Sequence, residues 1–417
     1  MHIGWISRQW PYRAMPRGRA AHCWRWAAAA AAAAATLLAL TAASAPGAAA
    51  SGTAKAATPA KPGPVSCGPP GFLIQCYTPR EYQVAYGVAP LLKRGITGNG
   101  ETVVMPELAH APGPTYTDIR KDLAAFDRKF GLPTAKLKVT TTLAGASAPY
   151  VASHEETEDT EIVHAIAPGA TLDVVLVPAS ATASAANFTA AQVARIHAAL
   201  RQAAGRHLTV VASSGDLGVI SDNGPPKQVS LPASDPLVLS VGGTALDASF
   251  VTGAYHGEMA WNADTDASAG GYSVLFGRPS YQDGIPRIGR MRGVPDVAAD
   301  ADSNTAMSLM FTGGVPYPAQ GTSAATPLWA AIIALADQQA GQHLGFVNPA
   351  IYAIARSPAY HRAFHDVVTG DNSVLWPTGV FVGYQAGPGW DPVTGWGSPN
   401  AQILVPLLAH PAATADS

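Results

Sequence analysis

Residues 172–214 read LDVVLVPASATASAANFTAAQVARIHAALRQAAGRHLTVVASS, and this stretch predicts a strand, a helix and a second strand. Both ends are short apolar runs rich in valine, whereas residues 189–204 have helical periodicity. Two buried strands with a helix between them are typical of a parallel sheet, because the helix provides the crossover connection. The stretch therefore predicts an α/β fold.

The same alternation continues on both sides of this unit. Further buried strands are predicted at 101–108 and 237–244, and further helices at 117–129, 154–167 and 325–340. The chain shows no internal repeat. We therefore expect one α/β domain over residues 76–410, with a central parallel sheet flanked by helices, followed by a short tail at 411–417.

The composition indicates a loop-rich globular enzyme. Of 417 residues, 48% are hydrophobic, which is enough for a large core, and only 13% are charged. The 41 glycines and 35 prolines argue against a coiled coil or a helical repeat. A formal net charge of −2 and the lack of a basic patch exclude nucleic acid as an expected partner.

Residues 1–50 differ from the rest of the chain. They contain five arginines and no acidic residue, and the segment from Trp26 to Ala50 is uncharged and dominated by alanine. A basic start, an apolar run and a small-residue exit predict an export signal, with an uncleaved membrane anchor as the alternative. We expect a secreted protein that has no membrane contact after signal removal and is a monomer.

Residues 51–75 form a Pro/Ala-rich linker without periodicity. Cys67 and Cys76 bracket its last part, and Cys23 leaves with the predicted signal. In an exported chain the two remaining cysteines are expected to form a disulfide, with two buried free thiols as the alternative.

The stretch GTSAATPLWAAIIALADQ (321–338) places one hydroxyl, that of Ser323, before an apolar helix that we expect to begin near Pro327. A serine at that place commonly caps a helix. A nucleophile there would instead lie in the positive field of the helix start, which suits a developing oxyanion.

Residues 153–169, SHEETEDTEIVHAIAPG, predict a helix with capping-box spacing at its start and a Pro-Gly stop. On a helical wheel one stripe contains Glu155, Asp159, Ile162 and Ile166. Since the isoleucines must face the core, the two carboxylates are expected to point inward with them. Two such carboxylates share a proton and can relay it under acidic conditions.

The other acidic residues of this helix fall beside or behind the stripe, and we expect Glu158 and Glu161 to be solvated. A third candidate acid, Asp216, follows the predicted strand at 208–214, at the edge where α/β sheets bind ligands. It can be a turn residue beside Gly215. If protonated, it can also donate a hydrogen bond to an oxyanion.

Taken in order, these segments resemble the sedolisin family of serine-carboxyl peptidases, whose fold is subtilisin-like. The resemblance covers roughly residues 76–405 and extends to LPASDPLVLSVGGT (231–244), PSYQ (279–282) and VPDVAADAD (294–302). It implies an endopeptidase of polypeptides that is active at acidic pH. The implied roles are nucleophile for Ser323, general base for Glu155, orienting acid for Asp159 and oxyanion-hole acid for Asp216.

Subtilisin itself needs a histidine that precedes the serine in a His-Gly-Thr stretch. The only His-Gly here lies in YHGEM (255–259), so we reject an Asp-His-Ser triad and take His164 and His365 as ordinary polar residues.

The C-terminal region resembles the calcium loop of the same family. FHDVVTGDN (364–372) and AGPGWDPVTGWGSPN (386–400) contain the matching positions. The resemblance implies one structural Ca²⁺ held by the carboxylates of Asp366 and Asp391 and by the carbonyls of Val367, Gly387 and Gly389. Oxygen ligands of this kind suit calcium and not zinc, although a Gly/Asp/Pro turn region is the alternative.

Three features depart from the family pattern. Only the linker stands where a long folded pro-domain is usual, and Gln320 stands where a glycine is frequent. Residues 179–206 leave room for a loop and one helix, whereas the family has an extra strand there that lines the substrate cleft. Two functions therefore remain: an active acid peptidase, or a secreted binding or scaffold protein with an impaired cleft.

Overall fold

A computed structural model of the chain describes residues 65–68, 74–109, 116–142, 151–177, 188–220, 227, 229–312 and 314–410, and the backbone of 2–6. The apolar run of the predicted signal, most of the linker and the tail at 411–417 lie outside the described residues. The domain boundaries therefore stay predictions. Within the described ranges, no helix is long and apolar enough to cross a membrane.

The strands belong to one large sheet and several two-stranded pairs. In chain order they are β1 His2–Ile6, β2 Val65–Cys67, β3 Ile74–Cys76, β4 Thr102–Leu108, β5 Thr117–Asp118, β6 Lys136–Thr141, β7 Val151–Ala152, β8 Thr171–Val177, β9 Val210–Ser213, β10 Leu239–Ala248, β11 Tyr255–Ala260, β12 Gly271–Gly277, β13 Met291–Val294, β14 Val297–Asp300, β15 Ser308–Phe311, β16 Val315–Pro318, β17 Phe364–His365, β18 Val374–Trp376, β19 Gly379–Phe381 and β20 Ser398–Pro399.

The helices connect and cover these strands. They are α1 Pro79–Ala85, α2 Ala89–Lys93, α3 Ile119–Phe130, α4 His154–Ile166, α5 Ala190–Gly205, α6 Gly321–Ala340, α7 Asn348–Ala355, α8 Tyr360–Ala363 and α9 Ala401–Ala409. The predicted helices and strands all exist, with ends that differ by a few residues.

The large sheet has eight strands in the order β11-β10-β9-β1-β4-β8-β6, and β14 also pairs with β10. Every pairing is parallel except that of β10 with the edge strand β11. Valine-rich strands such as β4 and β8 are buried along most of their length, as the central strands of a parallel sheet require. The predicted α/β class with a central parallel sheet is confirmed.

The crossover from β8 through α5 to β9 passes over one strand position. β8 lies beside β4, and α5 then leads to β9, but β9 does not pair with β4. The five residues of β1 lie between them and pair in parallel with both. An N-terminal segment therefore occupies the position between β4 and β9.

The helix with Ser323 begins earlier than expected. α6 starts at Gly321, after Gln320 as N-cap, and Pro327 lies inside it. Our expectation of a start near Pro327 was therefore wrong, because the helix tolerates a proline at the cost of one backbone bond. Proline has no N–H, so the carbonyl of Ser323 loses its usual helical donor. Ser323 lies in the first turn and is not the cap.

The acidic helix α4 is buried on more sides than one stripe predicts. Its capping box is present. The Ser153 side chain accepts a hydrogen bond from the backbone of the first turn, and the Ser153 N–H donates to the Glu156 carboxylate. Glu158 is 4% exposed and Glu161 is 0% exposed. The expectation that these two residues are solvated was wrong, because α6, α3 and β15 also cover the helix.

Cys67 and Cys76 form a disulfide that joins the paired strands β2 and β3, which confirms the predicted bridge.

Candidate active site

The candidate nucleophile lies where three elements meet. α6 packs against α4 and runs across β9 and β4. Ser323 is 4% exposed in the first turn of α6, where helix N–H groups create a positive environment. The fold therefore brings the serine helix and the acidic helix together, although they are far apart in sequence.

Asp216 is anchored to the residue beside Ser323. Its Oδ1 accepts hydrogen bonds from the Thr322 backbone N–H at 2.8 Å and from the Thr322 hydroxyl at 2.7 Å. The Thr322 hydroxyl oxygen also accepts a bond from the N–H of Gly215 at 3.2 Å. The carboxyl group thus sits beside the start of the serine helix.

Gly321 makes this approach possible. Its φ is +78°, a left-handed conformation, and a Cβ placed on it would lie 2.9 Å from Oδ2 of Asp216. Glycine accepts positive φ without steric cost and leaves room for the carboxyl group. The glycine of the GTS motif is therefore required by both backbone conformation and space.

Asp159 is fully buried on α4, and its partner is Glu107 of β4. The two carboxyl groups lie close enough for each to shift the pKa of the other. Neither oxygen of Asp159 receives a bond from an N–H or hydroxyl donor among the described residues. Burial raises the pKa of Glu107 to about 8, and burial and Glu107 raise the pKa of Asp159 well above its usual value.

Glu155 lies one turn before Asp159 and is half-buried at the start of α4. Its charge is close enough to contribute to the raised pKa of Asp159, after burial and Glu107. The wheel prediction that these two carboxylates share one face is consistent with this contact. The two acids therefore differ in exposure, since Glu155 is half-buried and Asp159 is fully buried.

Glu158 extends the acidic cluster toward α6. Its Oε1 accepts a hydrogen bond from the backbone N–H of Gln320 at 3.1 Å, and burial raises its pKa well above the usual value. Asp216 is near enough to add to that shift. Glu158 therefore connects the acidic helix α4 with the start of α6, through the N-cap residue Gln320.

Sequence patterns did not predict Glu107, Glu158 and Thr322 as parts of this site. A signal existed for Glu107, since it is the one charged residue within the apolar strand TVVMPEL. Glu158 gave no such signal, because its burial depends on helices that are distant in sequence.

The two histidines that were set aside have other partners. His164 contacts the Pro133 carbonyl at 2.8 Å and Asp127 at 3.1 Å. His365 stacks on Tyr255, and burial lowers its pKa to about 4. YHGEM belongs to the antiparallel edge strand β11.

The two C-terminal loops of the predicted calcium site converge. The N–H of Gly389 donates to the Asp366 carboxylate, at 3.1 Å for Oδ2, and the N–H of Gly387 donates to Oδ2 of Asp391 at 3.1 Å. The Thr394 hydroxyl connects Asp391 to the Val367 carbonyl.

Asp391 is fully buried, and burial raises its pKa to about 6. Among the described residues, neither Asp391 nor Asp366 forms an ion pair. Two carboxylates on converging loops are hard oxygen ligands of the kind that Ca²⁺ takes. The calcium site stays a prediction.

Comparison with known proteins identifies relatives of this chain. No family model matches the chain. It is 32% identical over 375 residues to kumamolisin from Bacillus sp. (strain MN-32), which covers 80% of this chain and 64% of that protein. It is 37% identical over 209 residues to sedolisin from Pseudomonas sp. (strain 101), covering 47% of this chain and 34% of that protein.

Human tripeptidyl-peptidase 1 is 34% identical over 250 residues, covering 54% of this chain and 41% of that protein. The matches thus span less than two thirds of each relative. Among solved structures, a Pseudomonas sedolisin described as a serine-carboxyl proteinase superposes with a TM-score of 0.63 at 25% identity, covering 80% of this chain and 97% of that one. These matches support membership of this chain in the sedolisin family.

Proposed function

We propose that the protein is a secreted serine-carboxyl endopeptidase that hydrolyses polypeptides at acidic pH. The observation that supports this most directly is the attachment of Asp216 to Thr322, on a helix that packs against the helix of Glu155 and Asp159. These contacts support the proposal that a nucleophile, an acidic relay and an oxyanion donor are grouped around one helix start.

In the proposed mechanism, Glu155 accepts the proton of the Ser323 hydroxyl, and Asp159 holds Glu155 in position. The serine oxygen attacks the peptide carbonyl. Protonated Asp216 and first-turn N–H groups of α6 stabilise the tetrahedral oxyanion. Glu155 then protonates the leaving amine, and water releases the acyl group. Glu107 helps to raise the pKa of Asp159, and Asp159 supports Glu155 without a histidine.

The decisive experiment is turnover of casein and a peptide library across pH 3–7 by the wild-type protein and by Ser323→Ala. We expect activity with an acidic optimum, and loss of at least about a thousandfold in the variant, since the nucleophile is removed. Ser249→Ala, on a surface turn, is the matched control and should retain activity.

Equal turnover by Ser323→Ala would disprove the assignment. Folded wild-type protein without any turnover would favour the second function, a binding or scaffold protein on the same fold.

A structural calcium ion completes the proposal. Asp366 and Asp391 would hold it with the carbonyls of Val367, Gly387 and Gly389, and its charge would stabilise loops that β17 and β20 bring together. We expect chelation to lower the Tm, and Asp391→Asn to lower the Tm in calcium and to remove the chelator effect. An unchanged Tm on chelation would contradict the site.

We also propose export, on the basis of the composition of the segment 1–50. Because residues 2–6 pair with β4 and β9 in the large sheet, we propose that the exported protein keeps this segment uncleaved. Detection of the protein in the medium, with loss of export when residues 26–50 are deleted, would support secretion. Retention inside the cell in both cases would refute it.

A further inference from the structure

β1 fills an interior position of the large sheet, and its register is defined on both sides. His2, Ile3 and Gly4 align with Thr102, Val103 and Val104 of β4. Gly4, Trp5 and Ile6 align with Val210, Val211 and Ala212 of β9. Gly4 is thus aligned with both neighbours, at the middle of the strand.

Without β1 the sheet would separate into two parts. One part would contain β4, β8 and β6, and the other β9, β10, β11 and β14. Two facing rows of backbone N–H and C=O groups would then lack their sheet partners in the interior of the protein. α6 crosses β4, β1 and β9, so this gap would open beneath the serine helix.

The two parts carry different halves of the candidate site. Glu107 lies on β4 and pairs with Asp159, whereas Asp216 follows β9 and holds Thr322. β1 is the strand that connects these halves within the sheet. Its sequence, HIGWI, has no Lys, Arg, Asp or Glu, which is typical of an interior strand of a parallel sheet.

We propose that the position between β4 and β9 is a strand-binding site that takes residues 2–6 of the N-terminal segment, and that this strand aligns the Glu107 half of the site with the Asp216 half. The alignment role depends on the proposed peptidase function. The strand-binding site itself does not.

Disulfide trapping in the full chain tests the strand position directly. In a Cys23→Ser background, His2→Cys combined with Thr102→Cys should form a disulfide under mild oxidation, since neighbouring strands lie about 4.8 Å apart. The matched control is His2→Cys with Thr171→Cys. Thr171 aligns with Thr102 on the far side of β4, so it is roughly 9.6 Å from His2, which is too far for a disulfide.

Mass spectrometry of the non-reduced protein reads the result. A bridge to position 102 but not to position 171 supports the proposal. Equal bridging to both positions, or to neither, overturns it.

Gly4→Pro tests the alignment role, with Ala14→Pro outside β1 as control. Proline removes one backbone donor from the strand. We expect amides at 103–105 and 210–212 to exchange about tenfold faster or more in Gly4→Pro, and kcat to fall about tenfold with a smaller change in KM. Unchanged exchange would contradict the strand site. Faster exchange with unchanged kcat would contradict the alignment role, whereas an inactive wild-type protein would refute only the peptidase proposal.

Discussion

At the scale of single residues, the site depends on close contacts that leave no room for an extra carbon atom. Gly321 combines a positive φ with the near approach of Asp216, and Thr322 binds the same carboxyl group through its backbone and its hydroxyl. Geometry therefore explains the first two positions of the GTS motif, and the third position, Ser323, is the proposed nucleophile.

Gly321→Ala should impair catalysis more than folding. The new Cβ would push against Oδ2 of Asp216, and the left-handed backbone would add strain of about 1–3 kcal/mol. Gly341→Ala is a matched control at the other end of α6, because its φ is +66° and nothing lies within 4 Å of a Cβ placed there. We expect both variants to lose stability in chemical denaturation, but only Gly321→Ala to lose at least about tenfold in kcat/KM.

Equal kcat/KM in the two variants would show that the contact with Asp216 has no catalytic importance.

At the scale of elements, periodicity predicted which segments are helices and strands, because those patterns are local. It also placed Glu155 and Asp159 on one face of α4. It failed for Glu158 and Glu161, because a helical wheel assumes one buried face and α4 is covered by several neighbours. The Glu161 carboxylate instead accepts a bond from the N–H of Met310, which is distant in sequence.

The capping box of α4 gives an element-scale prediction. Ser153→Ala should lower the free energy of unfolding by about 1 kcal/mol, since Ser153 caps the first turn. Because that turn carries Glu155, kcat/KM should fall as well. Thr189→Ala removes the corresponding cap of α5 and should lower stability by a similar amount while activity is kept.

Denaturation curves and kinetics of both variants check this prediction. A loss of kcat/KM in Thr189→Ala that equals the loss in Ser153→Ala would show only a general stability effect.

At the scale of the whole molecule, the protein buries several carboxyl groups whose pKa values are raised, chiefly by burial. They include Glu107, Glu158, Asp159, Glu161 and Asp300. The sequence predicted an acidic pair, but not an extended set, because burial arises from the complete tertiary structure. The order of the large sheet was equally beyond local patterns, since β1 and its neighbours are separated by a hundred residues or more.

Because the pKa values of these carboxyl groups are raised in the folded protein, we expect the free energy of unfolding to fall as pH rises. The folded protein binds the proton of Glu107 up to about pH 8, whereas the unfolded chain releases it near the ordinary value of 4.5. The stabilisation is therefore fully present below about pH 4.5 and is lost between that value and about pH 8. Melts at constant calcium should give a lower Tm at pH 8 than at pH 5, and Glu107→Gln should reduce this difference.

A Tm that rises over the same interval would contradict the burial of these groups in their protonated form.

The N-terminal strand also has a consequence for association between molecules. Residues 7–64 separate β1 from β2 in sequence. The backbone hydrogen bonds of β4 and β9 are the same whether β1 comes from the same chain or from another copy. At high concentration two chains can exchange these segments, each completing the other's sheet, and the product is a swapped dimer built from unchanged contacts. The oligomeric state would then depend on the concentration at which the protein folds.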